Sequence, residues 1–289
     1  MFLKKILFKP NLIAFYKEDD IYKLLNEQYK KNKLLFSEIK EFDNKKDLKN
    51  YIDSVIEDNP QTYVSTIIES QNQGVVPSCD KHYYKELGID LENIKSVCIN
   101  NKYSFYTTLY ELMEIKKDYP FIDFLYSVFA IIDYKSSLRH NSLYILSMKD
   151  FSYILIYKDH IPVFADIFDI NEEPINEEED IEDISDMDIV EDFDETLDED
   201  IENIDEPEIE EPENIENLNI EYKIVDHIKT ALKEYYENGS DFIEKIFIFD
   251  TIGLEENITE MINDEIFIES NVNKIDILKI INEISRKNV

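Results

Sequence analysis

The sequence has few of the residues that usually build disulfide frameworks, metal centres and phosphate-binding loops. Its 289 residues include two cysteines, four histidines, four glycines and no tryptophan. Cys79 and Cys98 are too few and too isolated to predict a disulfide framework or a metal site, and they fit a reducing cytoplasm. No histidine has a second histidine at metal-ligand spacing, so we expect structural or surface roles for all four.

Positive charge and long apolar runs are also scarce. Of the 65 acidic residues, 26 lie between Asn171 and Glu221, which leaves 39 against 30 basic residues in the rest of the chain. That remainder has no basic stripe, which argues against nucleic-acid binding. No apolar run approaches the roughly 18 residues of a membrane span, and the N-terminal MFLKKILFKP is interrupted too early for a signal peptide.

The acidic stretch from Asn171 to Asn219 stands apart from the rest of the chain. Its charge density opposes compaction, and its apolar residues are not contiguous, so we expect a disordered insert. Those apolar residues recur every three or four positions. This spacing leaves open a transient helix or docking on a partner.

The second half of the chain opens with three predicted strands rich in Tyr, Ile, Leu, Val and Phe. They are Leu143–Ser147, Phe151–Tyr157 and Val163–Phe168. After the acidic stretch the pattern predicts a helix, a strand, a helix, a strand and a helix. These elements are Tyr222–Glu237, Ile243–Phe249, Glu255–Asn263, Glu265–Glu269 and Ile275–Ser285.

The first half begins in the same way, with three strands, a helix and a strand. These are Asn11–Lys17, Ile21–Leu25, Leu34–Phe42, a helix capped by Asp43 or Asn44 and ending near Glu57, and Thr62–Ile68. Over Gln71–Lys85 we expect a loop and then a short turn or helix. Two strands, Ile94–Ile99 and Tyr103–Thr107, and a helix over Thr108–Ile115 follow. Phe121–Asp133 is apolar on most faces, which predicts a buried helix, although periodicity alone leaves a strand open.

This duplicated order resembles the actin-like ATPases, and within them the PilM and GspL types of pilus and secretion assembly proteins. The local resemblance rests on Tyr63-Val64-Ser65 with Gln73-Gly74 and Pro77 nearby, and on IEKIFIFDTIGLEENI between two helices. It implies an α/β protein of two ribonuclease-H-like lobes with a long acidic disordered insert. We expect the first lobe over 1–135, the second over 136–170 and 220–289, and the insert over 171–219.

ATP-binding members of this family hold phosphate on glycine-containing turns. The corresponding stretches here are Tyr16–Asp20, Ser147–Ser152 and Asp250–Gly253, and only the last contains a glycine. Asp19, Asp150 and Gly253 are therefore degenerate positions that matter only if ATP binding survives. We expect a pseudo-ATPase without catalytic residues, metal or cofactor.

The resemblance implies a non-catalytic cytoplasmic scaffold at the inner face of the inner membrane, serving a type IV pilus, type II secretion or DNA-uptake machine. Its partners would be a bitopic inner-membrane assembly protein and a motor ATPase. One alternative is a divergent ATPase or kinase that uses Asp19, Asp150 and Asp250 with Mg-ATP. Another is an adaptor whose acidic segment binds a basic protein. Tyr83-Tyr84 and Tyr103–Tyr110 offer an aromatic surface for a peptide, although core packing explains most of it.

Overall fold

Two five-stranded sheets of the same strand order form the framework of the molecule. The computed structural model describes residues 9–18, 20–30, 33–171, 215–238, 241–255 and 257–289. The strands are β1 Asn11–Glu18, β2 Ile21–Lys30, β3 Lys33–Phe42, β4 Thr62–Ile68, β5 Gln73–Val76, β6 Ile94–Ile99, β7 Tyr103–Thr108, β8 Phe124–Ser127, β9 Ser142–Ser147, β10 Phe151–Lys158, β11 Ile161–Asp169, β12 Lys245–Asp250 and β13 Ser270–Lys274. The helices are α1 Lys45–Asp58, α2 Lys81–Glu86, α3 Leu109–Asp118, α4 Val128–Lys135, α5 Ile215–Asn238, α6 Asn257–Ile266 and α7 Ile277–Asn288.

The two sheets repeat one topology. The first has the order β3-β2-β1-β4-β8 and the second the order β11-β10-β9-β12-β13. In each, three antiparallel strands are followed by two strands that run parallel to the central one. The internal duplication predicted from the sequence is therefore confirmed, and with it the α/β fold of two ribonuclease-H-like lobes.

The central strand of each sheet is buried on both faces. Consecutive residues from Asn11 to Tyr16 in β1 and from Ser142 to Ser147 in β9 are all buried. Helix α1 covers one face of the first sheet, and α5 with α6 covers one face of the second. Helix α7 packs on the other face of the first sheet and α4 on the other face of the second. Because helices lie on both sides of each sheet, these strands are continuous apolar runs in the sequence.

The last helix of each half packs on the sheet of the other half. Helix α4 follows β8 of the first sheet but contacts β9 and β10 of the second. Helix α7 follows β13 of the second sheet but contacts β1, β2 and β4 of the first. One apolar cluster consequently contains residues of both sheets and both helices. This exchange of helices joins the two lobes into one core.

A small third sheet is inserted between β4 and β8. Its order is β5-β7-β6, with all pairs antiparallel. The hairpin of β6 and β7 turns at Asn100 and Asn101, whose φ angles of 51° and 57° lie in the left-handed region that such turns require. The turn predicted at 100–102 is thus confirmed. Within Gln71–Lys85, α2 confirms the short turn or helix predicted after the loop, whereas the loop itself is wrong at β5.

Other sequence predictions are corrected by the described structure. Phe121–Asp133 is not one helix, because β8 ends at Ser127 and that residue caps α4 by accepting a hydrogen bond from the Phe129 N–H. The strand predicted over Glu265–Glu269 is wrong, since α6 extends to Ile266 and β13 begins at Ser270. By contrast, the helix predicted over Tyr222–Glu237 is confirmed within the longer α5.

The structure also corrects the predicted boundary of the insert and the predicted state of the two cysteines. Residues 215–219 belong to α5, so the segment between β11 and α5 ends earlier than the predicted boundary at 219. Most of the predicted disordered insert, residues 172–214, lies outside the described residues. Cys79 and Cys98 form a disulfide with Cα atoms 5.5 Å apart, which corrects the expectation of two isolated thiols. The β6–β7 hairpin brings Cys98 back beside the start of α2, a contact that sequence spacing does not reveal.

Among the helices within the described ranges, none is long and apolar enough to cross a membrane. The longest, α5, places charged side chains on its outer face and buries Ile224, Val225, Ile228 and Leu232 against the second sheet. It is therefore an amphipathic helix of the core.

Candidate functional site

The first candidate site is the cleft where the first hairpin turns of the two lobes meet. The end of β1 with Lys17 and Glu18 faces the β9–β10 turn at 148–151, and Glu69 follows β4 between them. The cavity that remains measures about 10 Å³, which is room for about one water molecule. Side chains therefore leave little space in this cleft.

Three carboxyl groups and two lysine side chains line this cleft. Burial, followed by the nearby charge of Asp150, raises the pKa of Glu69 to about 8, although Lys17 acts in the opposite direction. The buried Oε1 atom of Glu69 has no hydrogen-bond partner among the described residues. Burial and the charge of Glu69 also raise the pKa of Tyr16 to about 12. The surroundings of Glu69 therefore oppose its ionised form at neutral pH.

Of the predicted nucleotide residues that the structure describes, Asp150 lines this cleft and Gly253 does not. Asp19 lies outside the described residues. Asp150 lines the cavity and accepts a hydrogen bond from the Asn171 side-chain amide at 3.1 Å. Gly253 does not line it; its φ of +86° serves the turn after β12, where its N–H donates to Asp250 Oδ1 at 2.8 Å. That turn is joined to β9, the central strand of its own sheet, through Thr251, whose hydroxyl donates to the Ser147 carbonyl.

The Mg-ATP alternative needs three carboxylates near one another. Within the described part of the chain, no group of three His, Cys, Asp or Glu side chains is arranged to hold a metal ion. Asp250 is 2% exposed, and its Oδ1 atom is occupied by the N–H groups of Ile252 and Gly253. This carboxylate therefore caps its own loop.

Replacing Glu69 by glutamine is expected to stabilise the protein at alkaline pH. A carboxyl group whose pKa is raised on folding contributes stability below its ordinary pKa and loses it as the pH rises through the folded value, here about 8. Near pH 9, Glu69→Gln should raise the melting temperature by roughly 2–4 °C, equivalent to about 1 kcal/mol. Melting curves from pH 5 to 9 check this; a variant that follows the wild-type pH profile would contradict it.

The second candidate site is an apolar groove between the small sheet and the first lobe. It has a volume of about 430 Å³, and its walls come from β6, β7, α3, β8, α4 and the end of α7. Its apolar lining includes Ile68, Val97, Ile99, Phe105, Leu112, Leu125 and Ile284. Val97 is 58% exposed although it sits on a strand, so an apolar surface is open to solvent here.

The floor of this groove is fixed by a polar cluster around Asp133. The Asp133 carboxylate accepts hydrogen bonds from the hydroxyls of Tyr103 at 2.9 Å and Tyr157 at 2.6 Å, and Arg139 lies 3.3 Å away. Burial and the charge of Asp133 raise the pKa of both tyrosines. Because these residues come from the small sheet, α4 and β10, the cluster holds three parts of the molecule in register.

The sequence anticipated only part of this groove. Of the aromatic stretch at 103–110, Phe105 and Tyr106 line it, whereas Tyr103 is buried beneath and Tyr110 points to solvent. Tyr84 is buried. The other walls come from residues far apart in sequence, so no local motif indicates the site. The alternation Lys95-Val97-Ile99 on a hairpin strand is the one local signal, and it identifies a strand face without its partner.

A third cluster has the residue types of a catalytic triad but no access to a substrate. Ser152 Oγ lies 3.0 Å from His227 Nδ1, and His227 Nε2 lies 2.9 Å from Asp166 Oδ2. Ser152 has no exposed surface, and Phe168 stacks on the imidazole with ring centroids 5.1 Å apart. The hydrogen bond from His227 holds the pKa of Asp166 below its usual value. We assign this chain of bonds to fixing α5 on β10 and β11.

Comparison with known proteins places the chain among domains whose function is undescribed. The family model of a domain of unknown function, DUF8341, matches residues 143–289, just over half of the chain. The chain belongs to the DUF8341 family. A model of a second domain of unknown function, DUF8569, matches residues 8–133. No curated protein matches the chain at a significant level.

Solved structures similar to this DUF8341 member share its fold at very low identity. A chain of the PilM–PilN type IV pilus biogenesis complex is 7% identical with a TM-score of 0.50, and the match covers 95% of each chain. A protein of actin-like ATPase fold and unknown function from Bacteroides thetaiotaomicron is 11% identical, with a TM-score of 0.49 over 96% of this chain and 95% of that one. The cytoplasmic domain of EpsL, an inner-membrane component of the Vibrio cholerae type II secretion system, is 8% identical, with a TM-score of 0.45 over 96% and 95%.

The similarity to the PilM–PilN chain and the strand order of both sheets indicate the same fold. The chain has the actin-like ATPase fold in a PilM-like form. This confirms the resemblance inferred from the order of elements, at the level of the fold.

Proposed function

We propose that this chain is a non-catalytic scaffold of an inner-membrane assembly platform, of the kind that serves a pilus, a secretion system or DNA uptake. It holds a short segment of a bitopic membrane protein in the apolar groove and contacts a motor ATPase. The groove itself carries the proposal, because it offers an open apolar concavity of about 430 Å³, whereas the first cleft has room for about one water molecule. The PilM-like fold supports it, since that fold is found in a pilus biogenesis complex.

The groove suits an extended peptide with large apolar side chains. Strand β8 is the last strand of the first sheet, and β6 is the last strand of the small sheet. Within the described residues neither outer edge pairs with another strand. A peptide that adds to one of these edges gains main-chain hydrogen bonds and places alternate side chains in the groove. Lys95 at the rim supplies a charge that sets its orientation.

In this proposal the protein lies at the cytoplasmic face of the inner membrane and is held there through its partner. The two lobes then act as one rigid support, because the last helix of each half packs on the sheet of the other half. A contact between the acidic segment and a basic motor surface is the simplest use of its charge. Deleting 176–214 tests that contact: unchanged motor binding would dismiss it.

Millimolar Mg-ATP is expected to leave the melting temperature unchanged within about 1 °C. A ligand present at about 100 times its dissociation constant would add roughly 2.7 kcal/mol and raise the melting temperature by several degrees. The filled cleft and its carboxyl groups disfavour a triphosphate. A clear upward shift with Mg-ATP that is absent in Asp150→Ala would restore the ATPase alternative.

The groove is tested by a matched pair of variants at Val97. Val97→Asp places a charge on the apolar wall at an exposed position, whereas Val97→Leu keeps the wall apolar. In affinity capture from crosslinked native membranes, we expect wild type and Val97→Leu to recover the same single-span membrane protein. Val97→Asp should recover at least about tenfold less, since a buried unpaired charge is strongly unfavourable. Equal recovery by a Val97→Asp protein of unchanged melting temperature would contradict the proposal.

A further inference from the structure

The outermost strand of the first sheet, β3, presents an exposed edge of unusual composition. It is ten residues long, and nothing in the described part of the chain pairs with its outer side. Four of its large apolar residues are exposed, and the largest exposed fraction is 63% at Ile39. A long apolar edge invites pairing with another strand, and soluble proteins normally protect such edges.

A bulge limits the part of this edge that is suited to regular pairing. Opposite β2, Leu34 pairs with Tyr29 and Phe36 with Gln28, so Leu35 has no partner across the strand. From Phe36 to Phe42 the ladder with β2 is regular. The regular segment is therefore seven residues long, and its middle residue is Ile39, the most exposed of the strand.

This segment, Phe-Ser-Glu-Ile-Lys-Glu-Phe, is nearly self-complementary when it is paired antiparallel with a copy of itself about Ile39. Phe36 then lies opposite Phe42 of the second copy, and Glu38 lies opposite Lys40. By the two-fold symmetry each of these pairs occurs twice, and the two Ile39 side chains meet at the axis. Aromatic pairs and opposite charges are the cross-strand pairs that stabilise antiparallel sheets.

Contacts within one chain already hold the side chains of Glu38 and Lys40 in position. Glu38 accepts a hydrogen bond from the Tyr51 hydroxyl at 2.7 Å, and the Lys40 ammonium lies 4.4 Å from the centre of the Tyr51 ring. Both side chains therefore stand on the α1 side of the sheet, 3.3 Å apart. Fixing them on one face lowers the entropy lost when a second copy pairs with them.

We infer that β3 is a dimerisation edge, at which two copies of this chain join their first sheets through antiparallel pairing of residues 36–42 centred on Ile39. The ten strands then form one continuous sheet. Strand β8 and the apolar groove lie at the opposite edge of the first sheet, so the dimer leaves both grooves open. The inference is independent of the proposed function.

Charge exchange at the edge tests the pairing. Sedimentation velocity of the full-length protein should show a concentration-dependent dimer. Glu38→Lys alone and Lys40→Glu alone each place like charges opposite one another twice, so each should raise the dimer dissociation constant at least about tenfold. The double variant Glu38→Lys with Lys40→Glu restores opposite charges and should return to within about threefold of wild type.

The controls separate edge pairing from misfolding. Lys49→Glu reverses an exposed charge on α1 and should leave the dimer unchanged. Ile39→Asp places two carboxylates at the axis and should give a monomer with an unchanged circular dichroism spectrum. A wild type that stays monomeric up to about 100 μM would overturn the inference. A dimer that survives Ile39→Asp, or that the double variant does not restore, would also overturn it.

Discussion

Replacing Ile281 by alanine is expected to lower the free energy of unfolding by about 2–5 kcal/mol, the range for truncating a fully buried aliphatic side chain. Ile281 lies on α7 with no exposed surface, in the cluster that contains residues of both sheets. Although α7 follows β13 of the second sheet, its contacts are with β1, β2 and β4 of the first. The cavity should therefore loosen the first lobe, far away in sequence.

Hydrogen exchange measured strand by strand distinguishes this from a local effect. Faster exchange is expected in β1 and β4, because the same helix face also forms hydrogen bonds with the first sheet: Ser285 with Ser65 at 2.7 Å and Asn282 with Glu27 at 2.9 Å. Lys279→Ala on the exposed face of α7 is the control and should change stability by less than about 0.5 kcal/mol. If exchange increased only in β12 and β13, the exchange of helices between the lobes would be contradicted.

Replacing His227 by alanine is expected to cost about 2–4 kcal/mol at neutral pH. The imidazole forms hydrogen bonds with both Ser152 on β10 and Asp166 on β11, and Ser152 is fully buried. Its loss leaves a buried hydroxyl without a partner and removes a hydrogen bond to a charged group. Since α5 also packs through Ile228, the helix should remain folded but be held more weakly.

The pH dependence of this loss has a definite sign. The folded pKa of Asp166 is lowered chiefly by the hydrogen bond from His227. A carboxyl group with a lowered folded pKa stabilises the fold above its ordinary value of about 3.9 and loses that contribution as the pH falls through the folded value. Urea unfolding at pH 7 and pH 3 should therefore show a smaller difference between wild type and His227→Ala at pH 3. A difference that grows on acidification would exclude the assigned network.

The duplicated framework could be predicted from the sequence because its strands carry strong local signals. The strand at Thr62–Ile68 has the predicted bounds, and Asn44 caps α1 by accepting from the Asp47 N–H. Pairs of meanders with following helices then allow few topologies. The predicted bounds were wrong where the sequence pattern of an element was short or merged with that of its neighbour. Strand β8 and α4 together form one apolar run whose boundary is marked only by the Ser127 cap, and β13 is a polar strand, SNVNK.

Most contacts of the candidate sites could not be predicted from the sequence. The absence of glycine from Tyr16–Asp20 and Ser147–Ser152, which the resemblance compares with phosphate loops, is evident from the sequence. The contact of Glu69 with both hairpins instead depends on how the lobes meet. The walls of the groove come from β6, β7, α3, β8, α4 and α7. These elements are brought together by the inserted sheet and by the packing of each last helix on the other lobe. The pairing of Cys79 with Cys98 has the same origin, because only the β6–β7 hairpin brings them together.

Site-specific photo-crosslinking in native membranes tests the central claim most directly. A photoreactive phenylalanine analogue at Lys95, on the groove rim, is compared with the same analogue at Lys49 on the exposed face of α1. We predict that the groove position crosslinks to the cytoplasmic segment of one single-span inner-membrane protein, identified by mass spectrometry, and that the control position does not. Crosslinks from Lys95 only to soluble proteins, or the same products from both positions, would contradict the scaffold account.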